Sequence, residues 1–240
     1  MYTGIRARPA PPQLNAKMTT NETWTAVDDY FAKLLLSADK TLDQALSDSV
    51  AAGLPAIAVS PLQGKQLLVL AQMQNPKNIL EIGTLGGYST IWLARALPDD
   101  GRLITCEFSP KHAEVARANI ARAGLSHLVE IRVGPALDTL PLLTAEKRGP
   151  FDFIFVDADK KNNPGYFEWA LKLSRPGTVI LVDNTVRDGA IADMKNTDPD
   201  LEGTRRMHEL IAAEARVTAT AIQTVGAKGY DGFTLIRVNS

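Results

Sequence analysis

Cysteine is almost missing from this sequence: Cys106 stands alone, so no internal disulfide can form, and the usage fits a reducing compartment. A nucleophilic thiol would need a base such as histidine beside it. None can be placed near Cys106 from the sequence, and its apolar surroundings suit a small buried hydrophobe. Charge of one sign is also lacking. Lys and Arg number 26 against 27 Asp and Glu, and the net charge of −1 is unlike the basic balance of a dedicated nucleic-acid binder. No apolar run approaches the ~20 residues needed to span a bilayer. The first twenty residues carry Arg6, Arg8, Lys17, no acid and several prolines, and they lack the apolar centre of a signal peptide. Residues 1–22 read as a disordered tail, with Met18 as an alternative start, and a cytoplasmic location is expected.

What is present fits one α/β domain. A chain of 240 residues, 45% apolar and 22% charged, can bury a sizeable core. The domain is expected over 23–240, with helices over 23–75 and a sheet core over 76–240. Trp24, Val27, Phe31, Leu34 and Leu35 recur at helical spacing. A second helix is expected over Leu42–Ala52. A third is expected over Pro61–Gln74, with Ser60 as N-cap and Pro61 in the first turn.

From Asn78 onward short apolar runs alternate with amphipathic stretches. Strands are expected at Asn78–Ile82, Leu103–Glu107, Val129–Val133, Phe151–Val156 and Thr178–Val182. Helices are expected near Tyr88–Leu97, Lys111–Ala123, Pro135–Leu143 and Tyr166–Leu173. Strict alternation, with strands apolar on both faces, implies a doubly wound, mostly parallel sheet. A long polar connection over Thr185–Gly203 then leads to a helix at Thr204–Ala213. Two last strands, Arg216–Gln223 and Phe233–Val238, would be joined by a turn over Gly226–Gly232.

Ligands of such sheets bind at the carboxyl ends of the strands. The first strand ends in Glu81-Ile82-Gly83-Thr84-Leu85-Gly86-Gly87-Tyr88-Ser89. This Gly-x-x-Gly-Gly turn lets backbone approach a ligand, but it differs from the Gly-x-Gly-x-x-Gly dinucleotide fingerprint. A nicotinamide-dependent dehydrogenase is thereby disfavoured. Glu81 can accept a hydrogen bond and complement a cationic ligand. Glu107, at the end of the second strand, can accept from both hydroxyls of a ribose. Gly134-Pro135-Ala136 either leaves room for a flat adenine or simply starts a helix.

The fourth and fifth strands end in Asp157-Ala158-Asp159-Lys160 and Asp183-Asn184. Neighbouring parallel strands lie ~4.8 Å apart, so Asp157, Asp183 and Asn184 can face one point. Two carboxylates and an amide oxygen suit a hard cation such as Mg²⁺, Mn²⁺ or Ca²⁺. The competing reading is two independent strand-end caps. Lys160, near such a cation, is a candidate general base. Its alternative is a solvated lysine in a charged turn, and His112, His127 and His208 receive no role.

Taken together these motifs resemble the cation-dependent class I O-methyltransferases, the group of the caffeoyl-CoA and catechol enzymes. The likeness runs from about Ser60 to the C-terminus. It rests on Ser60-Pro61-x-x-Gly64, Glu81-Ile82-Gly83, Gly87-Tyr88-Ser89, Glu107, Gly134-Pro135-Ala136, Val156-Asp157-Ala158-Asp159-Lys160 and Asp183-Asn184. The resemblance implies a seven-stranded Rossmann-like sheet with an antiparallel last strand, and a homodimer. It implies S-adenosylmethionine (SAM) held by Val59, Glu81, Gly83, Thr84, Ser89, Glu107, Ala136 and Asp157. It also implies a divalent cation on Asp157, Asp183 and Asn184, with Lys160 and Asp157 in catalysis.

Departures from the family pattern fall where an acceptor would be recognised. They are Ile57 in place of a frequent Met, Thr185-Val186-Arg187-Asp188-Gly189 without an aromatic, and a longer final glycine turn. A small catechol-like diol is therefore expected rather than a CoA thioester. The alternatives are methylation of a hydroxylated tRNA base and a non-catalytic cofactor-binding protein.

Overall fold

The computed structural model describes residues 19–240. Most of the expected tail lies outside the described residues. The helical region opens earlier than expected, because α1 (Thr20–Leu35) begins just after a capping box in which Thr19 and Glu22 satisfy each other's backbone N–H groups. The second helix, α2, covers Lys40–Ala51. Next comes α3 (Pro61–Gln74), with the expected bounds, started by a second capping box between Ser60 and Gln63 and by Pro61 in the first turn.

The alternating region supplies β1 (Asn78–Ile82), α4 (Tyr88–Ala94), β2 (Arg102–Glu107), α5 (Pro110–Arg122), β3 (Val129–Val133), α6 (Ala136–Ala145) and β4 (Phe151–Val156). It continues with α7 (Asn163–Lys172), β5 (Ser174–Asp183), α8 (Pro199–Ala213), β6 (Val217–Gly226) and β7 (Gly229–Val238). One seven-stranded sheet results, in the order β3-β2-β1-β4-β5-β7-β6. Strands β1 to β5 run parallel, and β7 pairs antiparallel with both β5 and β6. The switch point lies between β1 and β4, whose carboxyl ends carry Gly83 and Asp157.

Both faces of the sheet are covered. Leu80, Ile154, Ile180 and Ile236 pack under α6, α7 and α8. Ile79, Phe153, Phe155 and Leu181 pack under the helices from α2 to α5. Apolar residues therefore occupy both sides of each central strand, as the sequence demanded. Cys106 is part of this interior, and burial, with the charge of Glu81, pushes its thiol up to about 12. Among the described residues no helix is long and apolar enough to cross a membrane.

Several boundaries differ from expectation. Strand β5 opens at Ser174, four residues before Thr178, because Ser174 pairs with Phe151 across a register shift, and α7 opens at Asn163, three residues before Tyr166, with Pro164 in its first turn. Helix α8 starts at Pro199, five residues earlier than Thr204, because Asp198 accepts from the Asp200 N–H and Pro199 takes the first turn. The final turn shrinks to Ala227-Lys228 between Gly226 and Gly229, since the polar run Gly229–Gly232 pairs with β6 as part of β7.

Candidate active site

The strand ends at the switch point are laced together by backbone. Gly83 N–H donates to the Cys106 carbonyl at 2.9 Å, and Asp157 N–H donates to the Ile82 carbonyl at 2.8 Å. Gly83 has φ +105°, and a β-carbon there would lie 2.1 Å from the Asp157 carbonyl oxygen. Only glycine lets β1 and β4 approach so closely.

Glu107 spans this turn. Its Oε2 accepts from the N–H groups of Thr84 at 3.2 Å and Leu85 at 2.8 Å, and its Oε1 accepts from Ser109 N–H at 2.9 Å. His112 Nδ1 stands 3.3 Å from the same Oε1. The carboxylate is thus fixed at the lip of the glycine turn, where the expected ribose would lie. His112 went unrecognised in sequence. Its signal is its position three residues after the helix-capping Ser109, which brings it back over Glu107.

Glu81 takes a different place from the one expected. It is 0% exposed and lies beneath the turn, so it cannot itself meet a ligand from solvent. Its oxygens accept from Ser89 at 2.7 Å, Thr90 at 2.5 Å and Thr105 at 2.7 Å. Burial pushes its carboxyl up to about 7 despite these three hydroxyls, and the charge of Asp157 adds to the rise. Ser89, in the first turn of α4, links Glu81 to the turn. The donors Thr90 and Thr105 were not foreseen, because Thr105 comes from the neighbouring strand. Val59 is buried just before α3, and Ala136 opens α6 half-buried, so the residues expected at the cofactor are spread over the ends of six elements.

The acidic corner lies on β4 and β5. Val156 pairs with Val182, so Asp157 and Asp183 each stand one step past a matched pair on adjacent strands. Lys160, 5% exposed in a short 3-10 turn, places Nζ 2.8 Å from Asp157 Oδ1. Asp183 is equally buried, and its Oδ1 accepts from the Asn184 N–H at 2.8 Å. Burial pushes Asp183 up to about 7. The nearby charge of Asp157 adds to this, Lys160 opposes it, and Asp231 contributes further repulsion. Asn184 has φ +57°, a left-handed conformation that turns the chain sharply out of β5. Asp159, the second acid of the motif, is turned away to accept from Asn162 and Tyr166.

Among the described residues no three His, Cys, Asp or Glu side chains cluster as a metal site. The candidate donors expected from the sequence are instead two acids and the Asn184 amide. All are oxygen donors, and the corner carries more negative charge than Lys160 balances, which fits a hard divalent cation. Beyond Asn184, the buried Thr185 hydroxyl has no hydrogen-bond partner. Thr185 lines a cavity of about 720 Å³ together with Val186, Ile191, Met194, His208 and Tyr230.

A glycine turn beside an oxygen-rich acidic corner suits transfer chemistry between a bound cofactor and a second molecule. Comparison with known proteins agrees. The O-methyltransferase family model matches residues 36–239. A catechol O-methyltransferase of Niastella koreensis is 54% identical over 90% of this chain and 97% of its own length. The crystal structure of the Bacillus cereus O-methyltransferase in complex with SAH superposes with a TM-score of 0.90 at 61% identity, over 91% of this chain and 100% of that one. TomG of Streptomyces achromogenes, involved in tomaymycin synthesis and solved with SAM, gives 0.90 at 53% identity, over 93% and 100%. With the family model covering residues 36–239 and whole-length relatives at 53–61% identity, the chain belongs to the family of S-adenosylmethionine-dependent O-methyltransferases.

Proposed function

We propose that the enzyme methylates one hydroxyl of a small aromatic vicinal diol, with Asp157, Asp183 and Asn184 holding a divalent cation. Mg²⁺ is the first choice, and Mn²⁺ or Ca²⁺ are chemically acceptable. The observation that carries this reading is the pair of strand-end acids, Asp183 buried and Asp157 half-buried, one step past the matched pair Val156 and Val182 on adjacent strands. Burial and the charge of Asp157 push Asp183 up to about 7, so two carboxyls share a corner with one ammonium, and a bound cation would favour the ionised form of both. The activity named for the Niastella relative favours a catechol as acceptor.

SAM supplies the electrophilic methyl group of a sulfonium. A bound cation would supply Lewis acidity that lowers a diol hydroxyl's pKa and orients its two oxygens. The protein's own groups do the rest. Glu107, Ser89 and the Gly83–Thr84 backbone set the cofactor edge, while Asp183 and Asn184 set the acceptor edge of the same rigid sheet, so proximity lowers the barrier. Lys160 Nζ takes the hydroxyl proton. Its 2.8 Å contact with Asp157 sets a condition on that step, since Nζ is free to act only when Asp157 is engaged elsewhere. The homodimer expected of the family belongs to this proposal.

Methyl transfer to catechol, with and without Mg²⁺, tests the reading. Asp183→Ala should lower metal-dependent turnover on the order of 10³-fold, because Lewis-acid stabilisation is worth several kcal/mol, and should leave SAM affinity little changed. Full wild-type activity in excess EDTA would remove the metal from the scheme. Turnover of tRNA with none of catechols would overturn the acceptor.

A further inference from the structure

The segment between β5 and α8 leaves the acidic corner through Asn184 and has little burial of its own; Met194, for example, is 76% exposed. Its internal bonds are short-range turns, such as Ala192 N–H to the Gly189 carbonyl and Asn196 N–H to the Asp193 carbonyl. It also contains a run of left-handed residues, Arg187, Asp188 and Gly189, with φ between 54° and 83°. Such a conformation persists only where the surroundings over-determine it.

Two side chains do so. On one side Asp231 Oδ1 accepts from the N–H groups of Val186 and Arg187, each at 3.0 Å. On the other side stands Arg205 of α8. Its Nε donates to the Ile191 carbonyl at 3.0 Å and its Nη1 to Asn196 at 2.7 Å. Its Nη2 donates to Ala190 at 3.1 Å and to Asp193 at 2.7 Å. One planar guanidinium thus gathers four carbonyls from seven residues of chain. An ammonium, with three donors at one point, cannot span that arc. The clamp reaches the site through backbone, because Ala190 N–H bonds the Arg187 carbonyl and Ile191 N–H bonds the Val186 carbonyl.

We propose that Arg205 is a positioning residue for the methyl acceptor, fixing the 186–196 segment so that Asn184 and the cavity wall formed by Ile191 and Met194 keep one geometry. This role rests on the acceptor reading given above. Arg205 also borders that cavity, but its guanidinium is taken up by the four carbonyls.

Hydrogen–deuterium exchange and steady-state kinetics on the full chain test it together. In Arg205→Lys, amides of 186–196 should exchange about tenfold faster, the loss expected when several carbonyl bonds are given up. The catechol KM should rise by about the same factor, with kcat changed less and SAM binding unaltered. Arg206→Ala, one residue along and exposed in an ion pair with Glu209, should change none of these. Unchanged exchange in Arg205→Lys would overturn the proposal, and so would faster exchange with an unchanged acceptor KM. If the wild type ignores every catechol, the acceptor reading falls separately, and exchange alone then decides the clamp.

Discussion

Glu81 keeps a carboxyl group in a fully buried place, and among the described residues three hydroxyls from α4 and β2 are its donors. Its folded pKa of about 7 lies above the ordinary value of 4.5, so between those values the native state holds a proton that the unfolded chain has released. Stability of the ligand-free protein should therefore fall as pH rises through that window and should be flat on either side of it. At 1.36 kcal/mol per unit, the slope integrates to on the order of 3 kcal/mol. Glu81→Gln removes the titration while keeping a polar group among the hydroxyls. Urea denaturation from pH 4.5 to 8 should show the wild type losing stability relative to the variant as pH rises. Parallel curves would mean that Glu81 is already ionised throughout. From sequence Glu81 is expected to complement a ligand directly, whereas the structure buries it beneath the glycine turn. Its partner Thr105 comes from the adjacent strand, and no local pattern carries that.

At the scale of elements, legibility followed the strength of local signals. Helix α3 was readable to the residue because Ser60, Pro61 and Gln63 form a cap that excludes other starts. Strands β1, β3 and β4 were bounded by turn residues and came out as expected. The start of α8 was hidden because Asp198-Pro199 lies in a polar run that also reads as loop. The start of β7 was missed because Gly229-Tyr230-Asp231-Gly232 has turn composition but is held in the sheet by β6. Gly64 gained its explanation only from packing. A β-carbon there would lie 2.2 Å from Trp92 Nε1, so the α3–α4 contact requires its absence. The ring cannot yield easily, with Lys65 and Arg95 placed over it at 5.9 and 5.8 Å. Gly64→Ala should cost at least about 1–3 kcal/mol by overpacking. Because Trp92 and Ser89 share α4, SAM affinity should fall as well. Thermal unfolding with and without SAM measures both, and an unchanged melting temperature would mean that α3 shifts freely.

For the whole molecule, the order of strands turned scattered motifs into one site. Glycine turn, Glu107, Asp157 and Asp183 are spread over a hundred residues, yet each follows a strand of one parallel sheet. That is why their common location at one sheet edge was legible without knowledge of a single side-chain contact. The outer edge is different. Helix α1 has no buried residue although it lies against β6, and Val27, Phe31, Leu34 and Leu35 are all 43% or more exposed. Beside it, β6 is a ten-residue edge strand that also exposes Ile222 and Val225. A helix of this length is marginal in water unless its apolar stripe is covered, and a long open edge invites pairing. A second copy of the chain covers both features at once if this face forms the homodimer, for which roughly 1,000 Å² or more must be buried. Phe31 stands in the middle of the stripe, so Phe31→Glu would place a charge in that interface without touching the sheet core. Light scattering after size exclusion should give a dimer mass for the wild type and a monomer, or a concentration-dependent mixture, for the variant. A wild type that is monomeric at every concentration tested would rule this face out as a contact between two copies.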